Sequence, residues 1–178
     1  DFEIENFLQV PEPLIQKEFS RIMSLKDGLK KMSKSDLSDL SRINLTDKKD
    51  EIINKIKKAK TDPMPMPSNI EELEKRFEAK NLIGIYASLS GQSLEKTVKE
   101  FAGKNFSEFK ENLSQVLVDK IIPISVEIKK LLDEKDYLDN ILLDGCKKAN
   151  NIASDKIKKI HEIVGFWKKF INKFQFIN

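Results

Sequence analysis

Two lysines three residues apart, Lys31 and Lys34, sit in the run "KMSKS" (Lys31–Ser35), with only Met32 and Ser33 between them and Ser35 closing it. Ammonium groups at that spacing, separated by the small Met-Ser pair, can converge on one polyphosphate tail. Gly28 and the serines would let such a segment open and close over a nucleotide. A solvated lysine-rich turn has the same composition, so spacing alone leaves both readings open. The other chemistry-bearing residues read more plainly. No cluster has metal-ligand spacing, so no protein-bound metal is expected. The sole histidine, His161, has no cysteine or acidic triad around it and reads as a surface or packing residue. Cys146, beside Gly145 on an apolar helical face, reads as a small buried hydrophobe. Glu71, Glu72 and Glu74 read as helix-start acids favoured by the macrodipole.

A lysine loop of this kind needs a strand to carry it and a body behind it. "RIMSL" (Arg21–Leu25) is a short strand-like run with Gly28 just beyond, and "VPEPLI" (Val10–Ile15) is a proline-broken loop. From Thr46 the periodicity is helical. Thr46 or Asp47 can cap a helix bearing Ile52, Ile53, Ile56 and Ala59. "TDPMPMPS" (Thr61–Ser68) must break it, its prolines reading as a stiff linker. Ser68 with Glu71 forms a capping-box pattern for the next turn. A helix with Leu82, Ile83, Tyr86 and Leu89 should end near Gly91. Ser93 should cap the next, with Val98 and Phe101 inward and Gly103 closing it. Ser107 opens a long helix bent at Pro123, and Asp136 starts the last, with Ile141, Cys146, Ala149, Ile152, Ala153, Ile160 and Val164 on one face. These segments predict a mainly α fold, an antiparallel helical bundle. One strand and two loops ahead of it cannot make a sheet, which points to a neighbour upstream.

Composition narrows the partners. Charged residues are 34% and hydrophobic ones 39% of 178, which excludes disordered and fibrous classes. No stretch approaches a membrane span, the acidic start Asp1-Phe2-Glu3 is no signal peptide, and one cysteine suits a reducing compartment. The net charge of +3 is uneven: residues 26–60 hold eleven basic side chains against six acidic ones, whereas residues 1–25 hold two against five. A basic belt around the lysine loop suits ATP or RNA.

"KMSKS" matches in all five positions the loop motif of class I aminoacyl-tRNA synthetases. The sequence further resembles the tryptophanyl-tRNA synthetase family through "VPEPLI", "RIMSLKDG", "KKMSKSD", "KIKKAKTDP" (Lys55–Pro63), "NLIGIYASLSG" (Asn81–Gly91), "FKENL" (Phe109–Leu113) and "EIVGF" (Glu162–Phe166). The similarity runs from about Val10 to Phe166 in the family's order, and "AKTDP" with the Asn-Leu-x-x-Ile-Tyr helix is more specific to it than the loop.

The resemblance implies a bacterial-type ligase that joins tryptophan to its tRNA. The carboxylate of L-tryptophan attacks the α-phosphate of ATP, pyrophosphate leaves, and the tryptophanyl group passes to tRNA(Trp). Negative charge growing on the leaving group is where lysines stabilise the transition state more than the ground state. By the same resemblance Lys31, Met32, Ser33, Lys34 and Ser35 contact ATP, with Lys31 and Lys34 catalytic at the pyrophosphate end and Ile22 at the adenine. ATP would bring its own Mg2+. Residues 1–45 would be the C-terminal remnant of a Rossmann-like catalytic domain, 46–166 a helical anticodon-binding domain, and 167–178 a C-terminal extension. A homodimeric full-length enzyme in the cytoplasm is implied. The family's His-Gly-His turn and its tryptophan-selecting acid have no counterpart, so no tryptophan-binding residue is assigned. The chain is expected to be a C-terminal half, inactive alone. The rival reading is a non-catalytic helical tRNA- or RNA-binding module; a third is a purely structural bundle.

Overall fold

In the computed structural model, residues 7–14 and 20–166 are described. Packing divides the chain into two units, Leu14–Lys130, and Asp1–Pro13 together with Leu131–Asn178. The expected 167–178 extension lies outside the described residues, as do Ile15 of "VPEPLI" and the acidic start.

In the Leu14–Lys130 unit the strand-like run becomes half of a hairpin. β1 (Met23–Ser24) pairs antiparallel with β2 (Asp27–Lys31), and Met23 stands opposite Lys31. Helices α1 (Lys49–Lys57), α2 (Ile70–Glu74), α3 (Phe77–Ser90), α4 (Leu94–Phe101) and α5 (Phe106–Asp133) follow. The hairpin lies close on α3 because of Gly28: a Cβ there would sit 2.8 Å from backbone atoms of Phe77 and Glu78. The glycine expected to lend mobility is therefore one of close approach.

Local chemistry explains the helix ends. Ser93 Oγ accepts the Lys96 N–H at 3.3 Å and caps α4. Gly91 ends α3 in the left-handed region at φ 70°, and Gly103 takes φ 72° just beyond α4. The other caps fall slightly off the expected residues. Asn69, not Ser68, caps α2, because its side chain reaches the Glu72 N–H at 2.9 Å. Lys48 precedes α1, its N–H held by Glu51 at 2.7 Å, which leaves Asp47 free for a different task.

One buried cluster holds hairpin and helices together. Leu25 of the hairpin turn is buried in the same cluster as Ile52 and Ile56 of α1, Leu82 and Ile83 of α3, and Leu113 of α5. At its centre Phe101 and Phe109 meet edge to face at 4.8 Å, and Tyr86 packs on Phe101 at 5.0 Å. The proline run is more than a spacer: Met66 is buried, and its backbone exchanges hydrogen bonds with Lys104 (2.8 Å) and Gly103 (3.1 Å).

In the other unit α6 (Lys135–Ile163) is a helix with no buried residue. Cys146, expected to be buried, is exposed, and so are Ile141, Leu142 and Ile152. Periodicity reports which face of a helix is apolar, not what covers it. His161 packs edge to face on Phe166 at 5.4 Å, a packing role. Lys156 donates to the Phe7 carbonyl at 3.0 Å and lies over its ring.

Candidate active site

The lysine loop springs from the end of β2. Its first anchor is backbone: the Met32 N–H donates to the Ile22 carbonyl at 3.0 Å, and Met32 and Ile22 both rest half-buried against the core. Within the loop Ser33 and Ser35 hydroxyls lie 2.9 Å apart, the Ser35 N–H donates to Ser33 Oγ at 3.2 Å, and the Asp36 N–H reaches the Ser33 carbonyl at 3.4 Å. These short-range bonds wrap the backbone around Lys34. The Asp36 carboxylate then accepts the Ser38 N–H at 2.8 Å and turns the chain back.

Among the described residues neither Lys31 nor Lys34 has an ion-pair partner, and both are exposed. Much of the surrounding basic excess is already matched. Lys30 pairs with Asp27, Arg42 with Asp39, Lys55 with Asp39 and Asp47, and Lys60 with Glu78. Lys31 and Lys34 are thus among the charges of this belt left available to an anion. Met32, Ser33 and Ser35 adjoin the two lysines in the chain, and Ile22 joins them from across the hairpin through the Met32 N–H.

Three sets of bonds brace the hairpin and the chain behind it. Asn81 of α3 accepts the Met23 N–H at 2.9 Å and donates back to the Met23 carbonyl at 2.8 Å. The Lys60 N–H donates to the Leu25 carbonyl at 2.7 Å, and the Leu25 N–H to the Ser41 carbonyl at 2.9 Å. Lys110 of α5 donates to the Ala59 carbonyl at 2.7 Å and the Lys57 carbonyl at 3.2 Å, closing the end of α1; burial pushes its pKa down. None of these roles was read from the sequence. Asn81 had a signal, being a lone amide at an inward position of an otherwise apolar helical run.

The "AKTDP" run, Ala59–Pro63, works as a clasp. Arg76 grips the Asp62 carboxylate with two nitrogens, Nε at 2.9 Å, and also reaches the Pro65 carbonyl at 2.6 Å. Burial raises the Asp62 pKa, but the Arg76 hydrogen bonds and the Met64 N–H outweigh it, and the group lies below 3.8. Lys60 holds Glu78 below 4.5 against opposing burial. A carboxylate whose folded pKa is depressed contributes stability above its unfolded value and loses it as pH falls through the folded one. Thermal midpoints of the chain are therefore expected to fall once pH drops below 4.5 and further below 3.8. The double substitution Asp62→Asn, Glu78→Gln should flatten that decline; an unchanged acid slope would remove the clasp from the acid response.

Comparison with known proteins shows the family. A family model described as tRNA synthetases class I (W and Y) matches residues 2–120. The chain belongs to that family. A tryptophan–tRNA ligase of Caulobacter vibrioides is 46% identical over 167 residues, covering 94% of this chain and 48% of its own length. One from Mesorhizobium japonicum is 48% identical over 162 residues, covering 91% and 46%. The chain thus spans about half the length of these class I relatives. Among solved structures, tryptophanyl-tRNA synthetase from Mycoplasma pneumoniae superposes with a TM-score of 0.71 at 22% identity, over 86% of this chain and 46% of that one. The Campylobacter jejuni enzyme, complexed with ADP and tryptophan, gives 0.63 at 22% identity over 92% and 49%. At that identity the likeness shows the fold, mainly helical with a small hairpin, as in these class I synthetases.

Proposed function

We propose that this chain carries the lysine-loop segment and the tRNA-binding helices of an ATP-dependent tryptophan–tRNA ligase. The observation that carries the reading is the pair of exposed ammonium groups, Lys31 and Lys34, unmatched among the described residues, on a braced loop within a member of this family. Lys31 and Lys34 act at the pyrophosphate end of ATP, with Met32, Ser33 and Ser35 in contact with the nucleotide and Ile22 beside the adenine. The magnesium is ATP's own; among the described residues no group of three His, Cys, Asp or Glu is placed to hold a metal. No described helix is long and apolar enough to cross a membrane. The division at residues 45 and 46 is then one of role: residues 1–45 serve the nucleotide and 46–166 the tRNA. The complete enzyme works as a cytoplasmic homodimer.

Binding of tRNA tests the helical half of this reading. The chain should bind tRNA(Trp) weakly and with strong salt dependence, since lysines supply the phosphate contacts. It should still prefer tRNA(Trp) to the same RNA with a changed anticodon, because unstacked bases are where sequence is read. A titration of both RNAs at two salt concentrations measures this. Equal affinities would leave the helices a charge-only RNA surface, the behaviour of a non-catalytic binding module.

A further inference from the structure

The returning limb of the lysine loop is held by side chains that no part of the ATP reading uses. Arg42 Nη1 donates to the Asp36 carbonyl at 3.0 Å, its Nη2 reaches Asp39 Oδ1 at 2.9 Å, and its Nε donates to Asn44 Oδ1 at 3.1 Å. Behind it stands Lys55 of α1, its side chain 4% exposed, with Nζ 2.6 Å from Asp39 Oδ2 and 2.7 Å from Asp47 Oδ2. Asp47 in turn accepts the Asn44 N–H at 2.8 Å and its side-chain amide at 3.1 Å. Asp39 also accepts the Asn44 amide at 3.0 Å. Two cations face two carboxylates, so the set is neutral as a whole and competes with neither Lys31 nor Lys34 for an anion. It is tightly satisfied, and it ends on a backbone carbonyl two residues after Lys34.

We propose that Arg42, seated by Asp39, Asn44 and Lys55, is a positioning residue for Lys34 that sets where the loop presents its charge to a polyphosphate. This rests on the reading of Lys31–Ser35 as the phosphate grip. The loop has one anchor at the Met32 N–H and the other at the Asp36 carbonyl, leaving only Ser33, Lys34 and Ser35 between them. A shift at either anchor is passed directly to Lys34. The second anchor requires arginine. Its planar fork offers donors in three directions at once, which the carbonyl, carboxylate and amide of this site occupy together. A lysine would keep the charge but bring a single nitrogen, unable to span the three acceptors.

That difference separates positioning from bulk charge and from mere support. The experiment is an NMR titration of the full chain with inorganic pyrophosphate, following the amides of residues 31–36, together with thermal melts. Lys34→Ala should weaken pyrophosphate binding roughly tenfold, the loss of one charge-assisted contact. Arg42→Lys, charge conserved, should weaken it about threefold or more. In the Lys34→Ala background Arg42→Lys should have no further effect, because the two act as one unit. Should Arg42→Lys fail to fold, Asn44→Ala, which removes the fork's third acceptor and no charge, is expected to give the same pattern. Wild-type affinity in the Arg42 variant, or an effect that persists undiminished without Lys34, overturns the positioning role while leaving the phosphate grip intact. Wild-type affinity in Lys34→Ala removes the grip itself, and the proposal with it.

Discussion

Lys34→Ala is expected to slow tryptophanyl-adenylate formation a hundredfold or more, with little change in tryptophan binding. The setting is a ligase made by joining this chain to the part of the Caulobacter vibrioides relative that it does not cover. Lys34 is exposed and has no ion-pair partner among the described residues, so none of them consumes its charge. On the proposed reading its work begins only when the bond to pyrophosphate breaks and charge gathers on the leaving oxygens. Removing one such donor costs roughly 2.7–4 kcal/mol of transition-state stabilisation. Pre-steady-state adenylate formation is the measurement. A rate within threefold of wild type would strip Lys34 of its role.

The largest effect on stability is expected at Phe109. Its side chain is fully buried, edge to face with Phe101 at 4.8 Å and 5.9 Å from the Tyr86 ring. Phe109→Ala leaves a cavity bounded by two other rings, which relax poorly around a void, and should cost roughly 3–5 kcal/mol. In a chain of this size that corresponds to a fall in thermal midpoint on the order of 6–20 °C. Ile152→Ala in α6 is the comparison. Ile152 is 72% exposed, so its truncation should move stability by no more than about 0.5 kcal/mol. A loss at Ile152 matching that at Phe109 would mean that this face of α6 is covered in solution. A small loss at Phe109 would mean that the aromatic cluster is not the centre of the core.

What the sequence revealed and what it hid divide along a physical line. Interactions between near neighbours leave a mark in the chain. The caps at Ser93, Gly91 and Gly103 could be read because each depends on a residue's own backbone or on a neighbour three positions away. The turn around Lys34 is local in the same way, built on the Ser33 and Ser35 hydroxyls. Asn69 displaced Ser68 as a cap by one position, since both residue types suit the place and only the final angle decides. Long-range pairings left no such mark. Lys55 counted as one more charge in a basic belt, yet it is a buried cation between two carboxylates, one of them sixteen residues upstream. Cys146 failed in the opposite direction, since its neighbours are apolar but nothing described lies over them.

A pleated edge ordinarily finds its partner in another strand. Here the outer edge of β1 finds it in one carboxamide, Asn81, which takes the Met23 N–H and returns a proton to the Met23 carbonyl as a third strand would. Met23 is the cross-strand partner of Lys31. The bearing of the first loop lysine is thus referenced to a helix, through two bonds that fix both slide and tilt and leave no slack. Only an amide can serve there, because the position needs an acceptor and a donor on one planar group. Hydrolysis of that single amide to a carboxylate would replace the donor with a second acceptor facing a carbonyl. The alignment of the loop therefore hangs on the chemical identity of one side chain as well as on the strength of the fold.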